Sequence, residues 1–431
     1  MRTVPIVCAL VAAILGPAAA QQPAAQPSQK LSSYDRGLSL VMLKEAKRDL
    51  LQNYYDPSFH GLNVDAVFAE AEAKIRAAQS VAEVSAILAD PLLRLDDSHT
   101  VFFPPPRLTR VDYGWSLEIV GDAAYVTFVK KGSDAEAKGL QRGDRVLAWN
   151  RFEPNRSTLW QLRYVYRYVR PQQLQRLVVR KPSGEERVLD IESSVERRPI
   201  GDLEELIREA EDSSRDVSAV VKPAGDALVV RLAWFGDPHE IDDAMKRTRG
   251  YKSLVLDLRG NPGGRVDAIT ALVSWCFDHD VTVSVEKTRK GESREITRGR
   301  KDALKGPIVV LIDAVSASAS EITARVLQIE KRATVIGDRS AGAVMTSRHF
   351  AHTLGGDLGG VGWVAFYGTS ITVADVRMSD GGALEKVGVA PDEVVLPSAA
   401  DLAAGRDPAL ARALVLAGTE ITAEAAGRFY R

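Results

Sequence analysis

The stretch Ile308-Val309-Val310-Leu311-Ile312-Asp313-Ala314-Val315-Ser316-Ala317-Ser318-Ala319-Ser320-Glu321-Ile322-Thr323-Ala324-Arg325-Val326-Leu327-Gln328 decides the fold. Its first five residues are uniformly apolar and read as a buried strand. A run of small residues follows. Ile322, Val326 and Ile329 then recur at helical spacing, so the stretch predicts strand, tight turn, helix. A hydroxyl at such a turn lies beside backbone N–H groups that lack partners at a helix start. Those groups, with the helix dipole, can hold a developing oxyanion. Several folds present a nucleophilic serine in this way. Ser318 and Glu321 also read as an S-x-x-E capping box, which needs no catalysis to explain it. On this window alone Ser316, Ser318 and Ser320 are equivalent candidates.

Outward from this stretch, strand and helix signals alternate. Residues 227–232 and 253–258 read as strands, 241–249 and 266–277 as helices, and 334–336 and 368–373 as later strands. The pattern predicts an α/β core of βαβ type over residues 197–400. Between the 253–258 strand and its helix lies Arg259-Gly260-Asn261-Pro262-Gly263-Gly264. Glycines there let backbone N–H groups approach a ligand closely. The turn lacks the Gly-Lys-Ser/Thr ending of a phosphate loop. A plain tight turn is the alternative.

The N-terminal third divides in two. Residues 33–107 carry helical periodicity and end at Asp96-Asp97-Ser98-His99-Thr100, before three prolines. Residues 108–196 carry short alternating strands, a helix over 159–168 and a closing hairpin about Lys181-Pro182-Ser183-Gly184. Residues 401–431, rich in alanine, read as a helical tail.

The chain has 431 residues, 45% of them hydrophobic, and a net charge of -1. That length allows two or three domains, and the charge gives no reason to expect nucleic acid as a partner. Met1-Arg2, a short apolar run, Gly16-Pro17 and Ala18-Ala19-Ala20 read as a secretory signal peptide over 1–20. A disordered linker is expected over 21–32. No later stretch is long and apolar enough to span a membrane. Cys8 lies within the signal, so Cys276 is alone in the remaining chain and no intramolecular disulfide is expected. His60, His239, His279, His349 and His352 fall in no metal-type spacing.

Residues 133–150, Ser-Asp-Ala-Glu-Ala-Lys-Gly-Leu through Asp144-Arg145-Val146-Leu147-Ala148-Trp149-Asn150, resemble a PDZ domain. That resemblance implies a peptide-binding loop at Gly114, Trp115, Ser116 and Leu117, receiving a C-terminal carboxylate by strand addition at a sheet edge. Asp96-Asp97-Ser98-His99-Thr100, this PDZ-like insert, Asp257-Leu258-Arg259-Gly260-Asn261-Pro262-Gly263-Gly264, Ser316-Ala317-Ser318-Ala319-Ser320-Glu321 and Leu384-Glu385-Lys386-Val387-Gly388 occur in that order. Together they resemble the C-terminal processing (tail-specific) serine peptidase family over nearly the whole mature chain. The resemblance implies a multidomain α+β and α/β protein: an N-terminal helical domain, a PDZ-like domain and a crotonase-like catalytic core. It implies Ser318 as nucleophile, with the N–H of Ala319 and the turn at Gly264 and Gly263 as oxyanion donors.

The best-known branch uses a lysine base within Gly-Lys-Gly. Here that place is Gly342-Ala343-Val344, so no Ser–Lys dyad forms there. The branch resembling the tricorn core protease uses a Ser-His pair instead. By that similarity His99 takes the Ser318 proton, and Ser98 and Glu385 orient the imidazole. A histidine suits the role, since its unperturbed pKa of roughly 6.5 lies near neutrality. The expected activity is that of an exported, periplasmic serine endopeptidase acting on polypeptides, with no cofactor and no metal. A catalytically silent peptide binder is the main alternative. An esterase is a weaker one, because the Gly-x-Ser-x-Gly elbow is absent.

Overall fold

The computed structural model describes residues 30–107, 109–197, 219–358 and 361–430, a mixed α/β, multidomain molecule. The expected signal peptide and residues 21–29 of the expected linker lie outside the described residues. Lys30 to Ser32 lie within them. Lys30 bridges Ser80, Leu31 is buried, and the Ser32 hydroxyl accepts from the Asp35 N–H at 3.0 Å to cap helix Ser33–Asn53.

A six-stranded sheet carries the C-terminal half. Its order is Glu393–Val394, Ala333–Gly337, Ile308–Ile312, Ser253–Asp257, Ala227–Leu232, Ala219–Ala224. All neighbours are parallel except the last pair. The strands Ser253–Asp257 and Ile308–Ile312 are buried at every position, because helices cover both faces. Their side chains still alternate. Leu254, Leu256, Ile308, Val310 and Ile312 face the helices Pro238–Lys246, Val266–Ser274 and Ala319–Ile329. Val255, Val309 and Leu311 face the helices Pro408–Leu416 and Ala423–Ala426 of the tail. Asp257 pairs with Leu311, so the turns after these two strands leave the sheet side by side. In open parallel sheets that end of the strands is where ligands bind.

A second sheet is built on a long hairpin, Met345–Leu358 with Val361–Arg377. Sequence reading marked only part of its second strand. Val101–Phe103 adds to this hairpin antiparallel to residues 368–370, and Val281–Thr288 pairs with residues 375–377. The Val101–Phe103 pairing carries the turn at residues 96–100 onto the hairpin. The Tyr55 N–H donates to the Thr372 carbonyl at 3.0 Å, docking the end of helix Ser33–Asn53 there.

A third, antiparallel sheet runs Trp115–Val120, Ala123–Val129, Arg145–Trp149, Leu174–Arg180, Glu186–Glu192. Its core is not separate from that of the N-terminal helices. One apolar cluster includes Leu50, Leu92 and Phe102 together with Trp115, Leu162 and Val179, and also Tyr367 and Ile371 of the hairpin. This sheet also latches onto the six-stranded one. Arg156 forms an ion pair with Asp338 and donates to the carbonyls of Gly121 and Arg339, both at 2.8 Å. The Gly121 N–H donates to Asp338 at 2.8 Å. Burial pushes the Asp338 carboxyl up, and Arg156 offsets part of that. Removing Arg156 therefore leaves a part-buried carboxylate without its counter-ion but with the N–H groups of Gly121 and Arg339 still on it. Arg156→Ala is expected to lower stability by about 1–3 kcal/mol. A urea midpoint equal to the parent's, with an equal slope, would show that the latch contributes nothing.

Candidate active site

Two turns meet at the ends of the Ser253–Asp257 and Ile308–Ile312 strands. Asp313 bonds them together: its Oδ1 accepts from the N–H groups of Gly260, Val315 and Ser316, each at 3.0 Å. Ser316 Oγ donates to the Leu258 carbonyl at 2.8 Å, and the Asn261 carbonyl accepts from Ala317 N–H and Ser320 Oγ, both at 3.0 Å. Ser316 and Ser320 are thus buried and occupied with structure. Ser318 is half-buried and differs from both. It sits at the mouth of helix Ala319–Ile329 with φ 53 and ψ -113. A non-glycine residue holds such a backbone only where its surroundings enforce it.

Gly263 and Gly264 lie against this serine. A Cβ on Gly263 would sit 2.7 Å from the Ser318 Cβ and 3.0 Å from the Ala319 N, so no larger residue fits. The two glycines are not equivalent as donors. The Gly263 N–H is occupied by the Asn261 side chain at 2.8 Å. The N–H groups of Gly264 and Ala319 have no acceptor among the described residues.

Glu321 was legible in the sequence only as a cap. Its buried carboxylate receives the N–H groups of Ser318 (3.1 Å), Gly342 (2.8 Å) and Ala343 (2.9 Å) and the Ser340 hydroxyl (2.6 Å). Burial pushes its carboxyl up, and these four donors offset part of that. Ala343, in the place of the absent lysine, acts through its backbone: its carbonyl accepts the Ser318 N–H at 2.9 Å.

The adjacent Val344 N–H donates to Glu385 at 2.8 Å. Glu385 also accepts from the Ser98 N–H (3.2 Å) and the Ser98 hydroxyl (2.9 Å), and Ser98 Oγ lies 2.7 Å from His99 Nδ1. A continuous path therefore runs from the Ser318 backbone through residues 343 and 344, Glu385 and Ser98 to the imidazole. Asp97 fixes the turn, accepting from the His99 N–H at 2.9 Å, the Thr372 hydroxyl at 2.6 Å and the Tyr54 hydroxyl at 3.0 Å. Burial pushes the His99 imidazole below its ordinary value against the pull of Asp97, and His349 adds to the lowering. Burial pushes the Glu385 carboxyl up to about 7; the Val344 N–H opposes this and Asp97 adds to it.

Gly114, Trp115, Ser116 and Leu117 stand apart from this network in the antiparallel sheet. The Gly114 N–H is held by Asp112 at 2.9 Å, Trp115 and Leu117 are buried, and Arg163 donates to the Leu117 carbonyl. Cys276 is buried, which pushes its thiol up to about 12, far from a nucleophile's range. Among the described residues no cluster of His, Cys, Asp and Glu is arranged to hold a metal.

Residues 226–395 match peptidase family S41, and residues 40–92 match the tricorn protease C1 domain. The carboxyl-terminal-processing protease of Synechocystis sp. is 32% identical over 148 residues, which are 34% of this chain and 32% of that protein. This chain thus spans about a third of that relative's length. The chloroplastic C-terminal processing peptidase of Tetradesmus obliquus is 24% identical over 392 residues, covering 86% of this chain and 79% of the relative. Among solved structures, mature CPAF complexed with lactacystin has the same fold, with a TM-score of 0.60 at 16% identity, over 86% of this chain and 96% of that one. An S41 region thus lies behind a tricorn C1 segment, and the chain is similar to C-terminal processing serine peptidases.

Proposed function

We propose that the chain is an exported serine endopeptidase that hydrolyses polypeptides through an acyl-enzyme on Ser318, with His99 as general base. One observation carries this reading: the Glu385–Ser98–His99 relay is bonded to Val344, whose chain neighbour Ala343 holds the Ser318 backbone. An ionised Glu385 only accepts, so it takes the Ser98 O–H. Ser98 Oγ then accepts from His99 Nδ1–H. Nε2 is left with a lone pair, the tautomer a general base needs.

In the forward step Nε2 takes the Ser318 proton as Oγ bonds the scissile carbonyl carbon. The oxygen of that carbonyl gains charge beside Gly264 N–H and Ala319 N–H, at a helix start that favours it. The imidazolium returns its proton to the leaving amine. Water, deprotonated by the same Nε2, then releases the acyl group and restores Ser318. Gly263 serves by being small rather than by donating. The sheet at residues 108–196 is read as a PDZ-like domain, residues 33–107 as a helical domain, and residues 197–400 as a crotonase-like core. Asp112 and Arg163 already occupy the Gly114 N–H and Leu117 carbonyl, so a peptide C-terminus must displace them to dock. The N-terminal signal pattern supports export to a bacterial periplasm.

A silent peptide binder is the second reading, favoured by Ala343 standing where a lysine base would be. A fluorophosphonate probe separates the two. Labelling is expected in the parent, absent in Ser318→Ala and reduced by about 10²-fold or more in His99→Ala. A folded parent that takes no label is a binder.

The relay also sets a pH dependence. Protonation of Glu385 gives it a hydrogen to donate to Ser98 Oγ. The Ser98 hydroxyl then turns to Nδ1, which moves the ring proton to Nε2 and removes the base. The carboxyl is raised to about 7, so kcat/KM is expected to fall as pH drops through about 7, above the lowered titration of the imidazole. In Glu385→Gln that limb should disappear, leaving a lower maximum and a limb below 6.5. An unchanged acid limb in Glu385→Gln contradicts the relay.

A further inference from the structure

The oxyanion turn begins at Arg259, and Arg259 is held by the C-terminal tail. Its guanidinium lies between two carboxylates. Nε and Nη2 donate to Asp257 at 2.9 and 2.8 Å, and Nη1 and Nη2 donate to Asp407, both at 2.9 Å. The Tyr430 hydroxyl donates to Asp257 Oδ2 at 2.8 Å, under the Arg231 guanidinium, which stacks 4.8 Å from the Tyr430 ring centre. Lys222 Nζ fixes the neighbouring Phe429 carbonyl at 2.8 Å. Asp257 is fully buried, and Arg259 and Asp407 are each 19% exposed at the side chain. Burial opposes the charges of Arg259 and Asp257, yet the mutual attraction holds Arg259 protonated and Asp257 ionised.

The rest of the tail packs by apolar contact, with an Arg412–Glu393 ion pair and single hydrogen bonds from Ser253 to the Ala417 carbonyl and from Thr419 to the Ala224 carbonyl at its edges. Leu410, Ala413, Leu414 and Ala417 cover the far face of the six-stranded sheet. Apolar packing suffices to hold a helix there, and buried ion pairs are a weak source of stability beside it. What the charged group adds is direction. Planar bidentate contacts on two sides leave the guanidinium one orientation. The Arg259 backbone is fixed as well, its N–H donating to Asp257 at 3.1 Å. Gly260 follows directly and is bonded to Asp313, and Gly264 lies four residues beyond Gly260.

We infer that Asp407 and Tyr430 are positioning residues for catalysis, acting through Asp257 and Arg259 to aim the Gly264 N–H at the developing oxyanion. The inference rests on the serine peptidase reading above. Gly264 N–H meets charge only in the transition state, so misaiming it lowers kcat and leaves KM alone.

The test is hydrolysis of dye-quenched casein by the full chain, with active sites counted by fluorophosphonate titration. Asp407→Asn suits it, since Asp407 also caps helix Pro408–Leu416 through the Leu410 N–H at 2.9 Å, and an asparagine keeps that cap. Loss of a whole oxyanion donor costs about 10²–10³ in kcat, so a misaimed one is expected to cost about tenfold per titrated site, with KM unchanged. Asp407→Glu should recover part of the loss. Tyr430→Phe removes one hydroxyl, should show a smaller fall of the same kind, and keeps the test open if Asp407→Asn does not fold. A parent that labels and turns over, with variants equal to it per titrated site or altered in KM alone, overturns the inference while the peptidase reading stands. A folded parent that takes no probe overturns both.

Discussion

The constraint on which the rest depends is the union of two turns at the ends of adjacent parallel strands. Asp313, Asn261 and Ser316 exchange hydrogen bonds across that junction until almost every polar group in it is satisfied. Buried backbone groups away from a ladder need such partners. Here the partners come from the other turn, so neither turn is stable in this form without its neighbour. Ser318 takes its unfavourable backbone inside this frame, and Gly263 fits against it because it has no side chain. The strain and the close approach are one feature seen from two sides.

The second constraint is long-range. His99 and Glu385 are separated by most of the chain, and their meeting is prepared by sheet pairing. Val101–Phe103 pairs with the Val361–Arg377 strand, and Thr372 on that strand bonds to Asp97 and Thr100. Glu385 reaches the same turn through Ser98. Both its oxygens accept from Ser98, with Val344 as a third donor, and burial still leaves its carboxyl near 7. Within the proposed mechanism, this places the relay's sensitivity to pH in the carboxylate rather than in the histidine.

Sequence reading reached the strand–turn–helix at 308–328 and the glycine turn because each is local: an apolar run, small residues, then a helical period. It did not reach the Val281–Thr288 and Gly291–Thr297 hairpin or the Met345–Leu358 strand. The first is dense in Lys, Arg and Glu, and the second breaks its pattern with the polar run Thr346-Ser347-Arg348-His349 and with Gly355-Gly356, so neither shows a continuous apolar signal, and the second shows no sustained alternation. The helix expected over 159–168 is α-helical over Leu159–Tyr164 and continues as a π-helical turn, Val165–Val169, a hydrogen-bond pattern that carries no separate hydrophobic period. The helical and PDZ-like segments read as separate domains because the pattern changes period between them; in space their apolar faces merge. Among site residues, the roles of Ser318, His99, Ser98 and Glu385 came from motif resemblance, and no periodicity points to them. Asp97, Asn261 and Asp313 stood in quoted stretches without an assigned role, because the partners that define them come from remote segments: the Tyr54 and Thr372 hydroxyls for Asp97, the Ala317 N–H for Asn261 and the Gly260 N–H for Asp313.

Ala343 gains its meaning from Glu321. A lysine base at that place acts through its side chain, whereas here the residue contributes its carbonyl to Ser318 and its N–H to Glu321. A lysine side chain is not needed there to hold Ser318, because the loop at 340–343 is held by the Glu321 carboxylate and by Ser340, whose hydroxyl also accepts the Val389 N–H at 2.6 Å. That second bond ties the loop to the segment that carries Glu385. Within the proposed mechanism, a histidine base in place of a lysine therefore asks nothing new of the frame around Ser318. It asks only that a carboxylate stand beside Val344 and meet the Ser98-His99 pair, and both contacts are present.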